Sequence, residues 1–135
     1  MLVSNTNIDK ITYLVERKKM SEIKQITKKI KKFRDDRDWM QFHNHKDMAL
    51  SLVLEATEVL EHFQWKTSEQ VVEHGKVSKG ELADELADVA MYLFELADNL
   101  GVDLSDAVAK KIEKNAKKYP VAKARGSAKK YNELK

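Results

Sequence analysis

The sequence predicts an all-α fold, a four-helix bundle-like arrangement in a single principal domain. Apolar residues recur three and four positions apart along most of the chain, which is the period of an amphipathic helix. Only four Gly and one Pro interrupt its 135 residues, and no segment alternates apolar and polar residues as a half-exposed strand does. A chain of this length suits one hydrophobic core.

The first two predicted helices occupy residues 21–63. Ser21 provides an N-cap for a helix that runs to about Trp39, with apolar residues along one face. Residues 41–45 break this spacing and are interpreted as a loop. The second helix runs from about Asp47 to Phe63. Apolar residues cover more than half of its circumference, so we expect it to be largely buried.

The third predicted helix follows a polar connection at residues 66–77, which has room for a short helical turn. Ser78 and Glu81 have the spacing of a capping box, in which each side chain bonds the other residue's backbone N–H. The helix continues to Leu100 and ends at Gly101, a residue suited to the left-handed backbone that follows many helices.

The fourth predicted helix spans residues 102–119, with Asp103 or Ser105 as its N-cap and Pro120 as its end. The basic residues after it lack helical periodicity, whereas the apolar positions near the N-terminus can form a short helix. We therefore expect an N-terminal extension, a helical domain and a basic tail at residues 1–20, 21–120 and 121–135.

Composition excludes several classes of protein. The chain has no Cys, which rules out disulfides, thiolate metal sites and cysteine nucleophiles. It has no apolar run long enough to span a membrane and no secretory signal, so we expect a cytoplasmic location without membrane association. Its four His lack the spacing of zinc sites, and there is no glycine-rich phosphate loop.

Two acidic pairs are the feature most informative about function. Glu55 and Glu58 lie in the second predicted helix, and Glu85 and Asp88 lie in the third, with 26 residues between the pairs. Residues three apart share a helix face, so two packed helices could direct four carboxylates at one point. Hard cations such as Mg²⁺ prefer oxygen ligands of this kind and often bind together with a substrate's phosphates. The spacing therefore suggests a magnesium site for a phosphate-containing substrate.

A solvent-exposed acidic face is the alternative interpretation of these residues. Exposed helix faces usually mix charges, because like charges four residues apart destabilise a helix by roughly 0.2–0.5 kcal/mol per pair. Here no Lys or Arg lies three or four residues from any of these acids on the same helix. The third helix gathers its acids on one arc: Glu81, Asp84, Glu85, Asp88 and Glu95, together with Tyr92 and Asn99. This concentration favours a metal site over an exposed face.

Charge and aromatic residues supply the other groups that a nucleotide would need. Residues 55–106 contain 3 Lys or Arg against 13 Asp or Glu, whereas residues 107–135 contain 10 against 2. Lys111 and Asn115 share a helix face near this basic end, and such groups suit phosphate oxygens. Trp39 and Trp65 lie near helix ends, where each side chain could either stack on a base or pack in the core.

Two other classes of function fit parts of the pattern. A nucleic-acid-binding or regulatory helical module would use the basic ends of the chain. A helical interaction protein would use the acidic groove to bind a basic partner. Neither alternative requires paired acids on two separate helices, so we favour a metal-dependent phosphate enzyme that does not bind nucleic acid.

A family resemblance extends over residues 21–134. The chain resembles the MazG-like all-α nucleotide pyrophosphohydrolases, and within them the dCTP pyrophosphatase branch. The resemblance rests on these runs: Glu55-Ala-Thr-Glu58, Glu85-Leu-Ala-Asp88-Val-Ala-Met-Tyr92-Leu, Arg37-Asp-Trp39-Met-Gln-Phe42-His43, Phe63-Gln-Trp65-Lys66, Val102-Asp-Leu104, Lys111-Ile-Glu-Lys-Asn115-Ala-Lys-Lys-Tyr119-Pro120 and Arg125-Gly-Ser-Ala-Lys-Lys130-Tyr131-Asn-Glu-Leu134.

The resemblance implies hydrolysis of a nucleoside triphosphate, with dCTP or a modified pyrimidine deoxynucleotide as the expected substrate, to the monophosphate and pyrophosphate. It also implies a homo-oligomer, a dimer or a tetramer built from two dimers, in which a neighbouring subunit completes each site. The implied catalytic residues and Mg²⁺ ligands are Glu55, Glu58, Glu85 and Asp88. The implied substrate-binding residues are Trp39, Phe42, His43, Trp65, Tyr92, Lys111, Asn115, Arg125 and Lys130.

Two positions depart from the family pattern. Ile30 stands where relatives can have a His facing the base, and Asp47 follows Lys46 where relatives have Asn. Both departures bear on base or sugar preference rather than on the reaction.

Overall fold

Helices are the only regular secondary structure in the described part of the chain, as the sequence predicts. A computed structural model of the chain describes residues 20–134, within which there is no β-strand. These residues form two compact units, one ending at Gly101 and the other beginning at Val102. The predicted N-terminal extension and its short helix lie outside the described residues, apart from Met20.

Residues 20–101, the described part of the first unit, contain four α-helices. They are α1 (Glu22–Asp35), α2 (His45–Glu61), α3 (Ser68–Val77) and α4 (Lys79–Asn99), with a short 3₁₀ helix at Met40–Phe42. The long α4 is the centre of the unit, because α1, α2 and α3 each pack against it and α2 does so most extensively. The two helices that carry the acidic pairs are therefore direct neighbours.

Polar side chains begin the helices as the sequence suggests, with one exception. The Ser21 hydroxyl accepts a hydrogen bond from the backbone of Lys24 and caps α1. Ser78 makes no side-chain cap for α4, so the predicted capping box with Glu81 is wrong. The capping box of this region belongs instead to Thr67 and Gln70 at the start of α3.

Two helix lengths differ from the prediction. Helix α1 ends at Asp35 rather than near Trp39, because the backbone turns through Asp38, whose φ is +55°. The connection expected at 66–77 contains a full helix of 10 residues rather than a short turn. The capping box of Thr67 and Gln70 stabilises the start of this helix. Gly101 has the positive φ, +69°, expected of a residue after a helix.

The buried apolar core that residues 20–101 form is small. It consists of Ile30, Met48, Leu82 and Ala97. The prediction that the second helix is largely buried is wrong for this chain alone, because only Met48 of α2 is buried. Four of its large apolar side chains are each 53–60% exposed: Leu50, Val53, Leu54 and Leu60. Helix α2 thus presents an unpartnered apolar surface.

The second unit consists of α5 (Leu104–Lys118), α6 (Val121–Ala124) and a 3₁₀ helix at Tyr131–Glu133. Of the two predicted caps for α5, Asp103 makes the contact, accepting a hydrogen bond from the backbone of Asp106. The tail folds back on α5, since the rings of Tyr119 and Tyr131 meet edge to face at 6.1 Å. None of the helices within residues 20–134 is long and apolar enough to cross a membrane.

Candidate metal centre and adjoining pocket

Three of the four predicted metal ligands converge between α2 and α4. Glu55, Glu58 and Glu85 each offer a carboxylate oxygen, and these three atoms lie within 4.8 Å of one another. Glu55 and Glu85 are half-buried and Glu58 is exposed. Asp88 lies one turn beyond Glu85 on α4 and does not belong to this group. We call the three residues the carboxylate cluster.

Crowding of negative charge raises pKa values in the carboxylate cluster. Partial burial raises the pKa of Glu55 above its ordinary 4.5, and the charges of Glu58 and Asp88 raise it further. Burial also raises the pKa of Glu85, as do a hydrogen bond with Glu58 and the charges of Glu58 and Asp88, although the nearby His62 opposes this shift. The cluster therefore holds its negative charge at an energetic cost.

The carboxylate cluster fits a hard divalent cation. Its donors are carboxylate oxygens from two helices, which is the ligand type that Mg²⁺ prefers. Within the described residues, no Lys, Arg or His makes an ion pair with Glu55, Glu58, Glu85 or Asp88. A bound cation would supply the compensating ion-pair partner that these four carboxylates lack among the described residues. Asp88 remains a predicted ligand.

A cavity of about 230 Å³ adjoins the cluster at Asp88. Helix α1, the turn after it and α4 form its walls, and we call it the aromatic pocket. Three predicted substrate-binding residues line it, namely Trp39, His43 and Tyr92. Its full lining is Ile30, Phe33, Arg34, Trp39, His43, Asp88, Met91, Tyr92 and Glu95. An apolar cavity with a few polar groups is the usual form of a small-molecule site.

A buried network of charges forms one wall of the aromatic pocket. Arg34 and Glu95 are only 6% and 3% exposed, and Arg34 Nη1 donates to Glu95 Oε1 at 2.9 Å. His43 Nδ1 lies 2.8 Å from the same oxygen. Burial lowers the pKa of Arg34, but hydrogen bonds to Glu95 and Asp35 outweigh burial and raise it. This wall is polar, whereas the other lining residues include the aromatic and aliphatic side chains of Ile30, Phe33 and Trp39.

Comparison with known sequences assigns the chain to a family. The model of the MazG-like family matches residues 50–134, which include both acidic pairs and the second unit up to Leu134. The chain belongs to the MazG-like family.

Named relatives of this MazG-like chain include dCTP pyrophosphatase 1 of Homo sapiens and of Mus musculus, each 42% identical over 104 residues. The matched segments cover 76% of the chain, and the chain spans 61% of the length of each of these relatives. A crystal structure of a pyrophosphatase from Archaeoglobus fulgidus is 37% identical with a TM-score of 0.71. That match covers 75% of this chain and 94% of the archaeal one.

Two predicted base-binding aromatics of the MazG-like chain lie outside the aromatic pocket. Phe42 is 62% exposed, and Trp65 is 93% exposed with a φ of +63°. Trp65 lines a separate, open depression beside α3. A bulky residue in the left-handed region is strained, so the chain holds Trp65 outward at a cost. Both residues remain predicted substrate contacts.

The predicted phosphate-binding residues belong to the second unit. Lys111 and Asn115 lie four residues apart on α5 and share a face. Arg125 follows α6, and the backbone N–H of Lys130 donates to Glu133 at the start of the last 3₁₀ helix. All four side chains are exposed, and their role in substrate binding remains a prediction.

The sequence alone does not reveal the buried partners of the site. Glu95 lies on the predicted acidic arc, two turns after Asp88, and its counter-ion is Arg34 on α1. A second contact without a sequence signal joins the end of α2 to α3, where His62 Nδ1 and His74 Nε2 lie 2.9 Å apart. Neither contact leaves a local signal in the sequence, because each joins residues on different helices.

Proposed function

We propose that this chain is a Mg²⁺-dependent nucleoside triphosphate pyrophosphohydrolase of the cytoplasm that removes dCTP or modified pyrimidine deoxynucleotides from the nucleotide pool. The products would be the nucleoside monophosphate and pyrophosphate. The observation that carries the proposal is the position of Asp88. Its charge acts on the carboxylate cluster, and its side chain also lines the aromatic pocket. A nucleotide could therefore place its phosphates at the cluster and its base in the pocket.

The relatives support this choice of substrate and reaction. Human and mouse dCTP pyrophosphatase 1 share 42% of aligned residues with this chain, and the archaeal structural relative is also a pyrophosphatase. The charge distribution supports it as well, because an acidic cluster suits the cation and exposed basic residues of the second unit suit phosphate oxygens.

Glu55, Glu58, Glu85 and Asp88 would hold the metal. When bound, Mg²⁺ polarises phosphate oxygens and lowers the pKa of a coordinated water, which favours attack at phosphorus. Among the chain's own residues, we assign the role of proton acceptor to Glu55, whose pKa is raised by burial and by its acidic neighbours. A raised pKa makes a carboxylate a better base near neutral pH.

The predicted substrate-binding residues would contact different parts of the nucleotide. Trp39, His43 and Tyr92 would enclose the base and sugar. The remaining predicted contacts are Phe42 and Trp65 for the base, and Lys111, Asn115, Arg125 and Lys130 for the phosphates. Because Trp65 does not line the aromatic pocket of its own chain and is 93% exposed, we propose that it serves the site of a second copy.

A homo-oligomer, either a dimer or a pair of dimers, is part of the proposal. Four large apolar side chains of α2 are more than half exposed, and Leu86 of α4 is 55% exposed. An apolar surface of this kind on a soluble chain commonly marks a protein–protein interface. Burial between copies would also supply the core that α2 lacks in the single chain.

The activity can be tested with a panel of deoxynucleoside triphosphates and Mg²⁺. We expect pyrophosphate and the monophosphate from dCTP; release of orthophosphate alone, or no turnover of any nucleotide, would contradict the proposal. Glu58→Gln should abolish turnover and also the Mg²⁺-dependent rise in melting temperature. Asp84→Asn is the matched control, since it removes one exposed acidic charge of α4 beside the cluster and should keep both properties.

A further inference from the structure

Two histidines meet where the end of α2 contacts α3. His62 is the residue that follows α2, and His74 lies in the last turn of α3. The nitrogens that face each other, His62 Nδ1 and His74 Nε2, are 2.9 Å apart, and the ring planes are tilted by 37°. Both side chains are half-buried. Within residues 20–134, neither ring forms an ion pair with a carboxylate. We call these two residues the histidine pair.

The separation of the two nitrogens is that of two ligands on one cation. A late first-row cation binds an imidazole nitrogen at about 2.0–2.1 Å, so two nitrogens at a right angle lie about 2.9 Å apart and two at the tetrahedral angle about 3.3 Å apart. The observed distance of 2.9 Å matches the first arrangement. It needs an opening of about 0.4 Å for the second, which small rotations of the two rings can supply. In the structure a proton shared between the nitrogens accounts for the contact, and a cation would take its place.

Ser78 can hold the proton of His74 when a cation is bound. A neutral imidazole carries one proton, so binding through Nε2 requires the proton on Nδ1. His74 Nδ1 lies 3.4 Å from Ser78 Oγ, which can accept a hydrogen bond from this N–H. A histidine that binds a metal usually donates its other ring N–H in this manner, and the bond fixes the orientation of the ring. Ser78 makes no side-chain cap for α4, so its hydroxyl is available for this role.

The histidine pair is accessible from solvent on the side of His74. This residue lines the open depression beside α3, together with polar side chains such as Gln70 and Glu73. A cation could enter through the depression and keep water in its remaining coordination positions. The two histidines are 12 residues apart in the sequence, which is not a spacing typical of zinc sites. They meet only because α3 places His74 beside the end of α2.

The ligand atoms of the histidine pair differ from those of the carboxylate cluster. Imidazole nitrogen suits Zn²⁺, Cu²⁺ and Ni²⁺, whereas Mg²⁺ prefers oxygen and reluctantly gives up its water. The chain has no Cys, so imidazoles are the side chains best suited to Zn²⁺. The two groups should therefore bind different cations even when both cations are present.

We propose that His62 and His74 form a second metal site, for Zn²⁺ or another late first-row divalent cation, with Ser78 as the residue that positions His74. The bound cation would join the end of α2 to α3 and stabilise the fold at this contact. The inference goes beyond the proposed function and does not depend on hydrolysis of a nucleotide.

Calorimetric titration of the intact chain with Zn²⁺ tests the proposal, with Mg²⁺ present at saturation to occupy the carboxylate cluster. We expect the affinity for Zn²⁺ to fall by about tenfold or more in His62→Gln and in His74→Gln. His45→Gln is the matched control, because it removes an exposed imidazole at the other end of α2, and it should keep the affinity. Absence of a Zn²⁺ site in the unaltered chain, or equal affinity in the folded His74→Gln variant, would overturn the proposal.

Glu58→Gln separates the histidine pair from the carboxylate cluster. This variant removes a predicted ligand of Mg²⁺ and should still bind Zn²⁺ as the unaltered chain does. Loss of the Zn²⁺ site in Glu58→Gln but not in His74→Gln would locate Zn²⁺ at the carboxylate cluster and refute the second site. The titration requires no turnover, so its result stands whether or not the chain hydrolyses nucleotides.

Nitrogen-15 spectra of the histidine side chains give a readout that needs no variant. With Mg²⁺ present, one equivalent of Zn²⁺ should produce one imidazole bound through Nδ1 and one bound through Nε2, and leave the other two histidines unchanged. Zn²⁺ bound through a single imidazole, or through none, would contradict the proposal. Ser78→Ala should weaken Zn²⁺ binding by about tenfold, whereas Ser78→Thr keeps the hydroxyl and should restore it. Equal affinity in Ser78→Ala and the unaltered chain would remove Ser78 from the site.

Discussion

Arg34 on α1 and Glu95 on α4 form a buried ion pair with an N–O distance of 2.9 Å. A second ion pair joins the same two helices at their surface, Lys31 with Asp98 at 2.7 Å. The two contacts have similar lengths, but their energetic consequences differ. Removing one partner of a buried pair leaves an uncompensated charge, whereas exposed pairs contribute little.

We therefore expect Arg34→Met to lower the free energy of unfolding by about 3–5 kcal/mol. Lys31→Met should lower it by less than about 1 kcal/mol. Urea denaturation followed by circular dichroism would measure both variants. A loss for Arg34→Met no larger than that for Lys31→Met would show that His43 and water suffice to compensate Glu95.

The carboxylate cluster predicts an unusual pH dependence of stability in the absence of metal. The pKa values of Glu55 and Glu85 are raised above 4.5 in the folded chain, so above pH 4.5 the folded state binds more protons than the unfolded state. Its stability must then fall as the pH rises from 4.5 through the folded-state pKa values, and level off above them.

Glu85→Gln provides the comparison that isolates this effect. We expect the stability of the unaltered chain relative to Glu85→Gln to decrease as the pH rises above 4.5 in a chelating buffer. Saturating Mg²⁺ should remove the decrease, because the cation compensates the ionised cluster. Thermal unfolding at a series of pH values measures both curves; parallel curves without metal would contradict the crowding of charge at this cluster.

The exposed side chains of α2 predict self-association. We expect light scattering to give a multiple of the single-chain mass, and Leu50→Lys to reduce that mass while far-UV circular dichroism retains its helical signal. Glu61→Lys places the same charge on α2 at a position that is not apolar, and should leave the assembly intact. If the unaltered chain is monomeric at micromolar concentration, the proposal that two copies share a site loses its basis.

Trp65 combines near-complete exposure with a strained backbone. Glycine adopts positive φ without a steric penalty, so Trp65→Gly should stabilise the fold by about 1 kcal/mol. The same change should lower kcat/KM for dCTP by about tenfold, the value expected when one stacking contact with a base is lost. Trp65→Phe keeps an aromatic ring and the strain, and should change neither quantity much. Full activity in Trp65→Gly would remove this residue from the proposed site.

The sequence was sufficient for features that depend on local spacing. Ser21, Asp103 and Gly101 mark helix ends because capping and positive φ are properties of a few adjacent residues. The convergence of Glu55, Glu58 and Glu85 was also predictable, since a shared face on each helix and packing of the two helices were the only requirements.

The remaining features depend on contacts between distant residues. Ser78 has the spacing of a cap with Glu81, yet α3 extends up to it, and its hydroxyl lies 3.4 Å from His74 Nδ1 instead. The pairing of Arg34 with Glu95 spans 61 residues, and nothing near either residue indicates it. The exposure of α2 could not be predicted because an apolar face has the same pattern whether it packs within a chain or between chains.

Helices α3 and α4 meet without a loop, since Ser78 is both the last cap of one and the first of the other. One inserted residue at this junction would rotate α3 by about 100° about its axis relative to α4. That rotation would carry His74 away from His62 and uncouple α3 from the end of the helix that bears Glu55 and Glu58. The junction at Ser78 therefore fixes the rotation of α3 about its axis relative to α4. The number of residues between the two helices is as constrained as the identity of the residues around the junction.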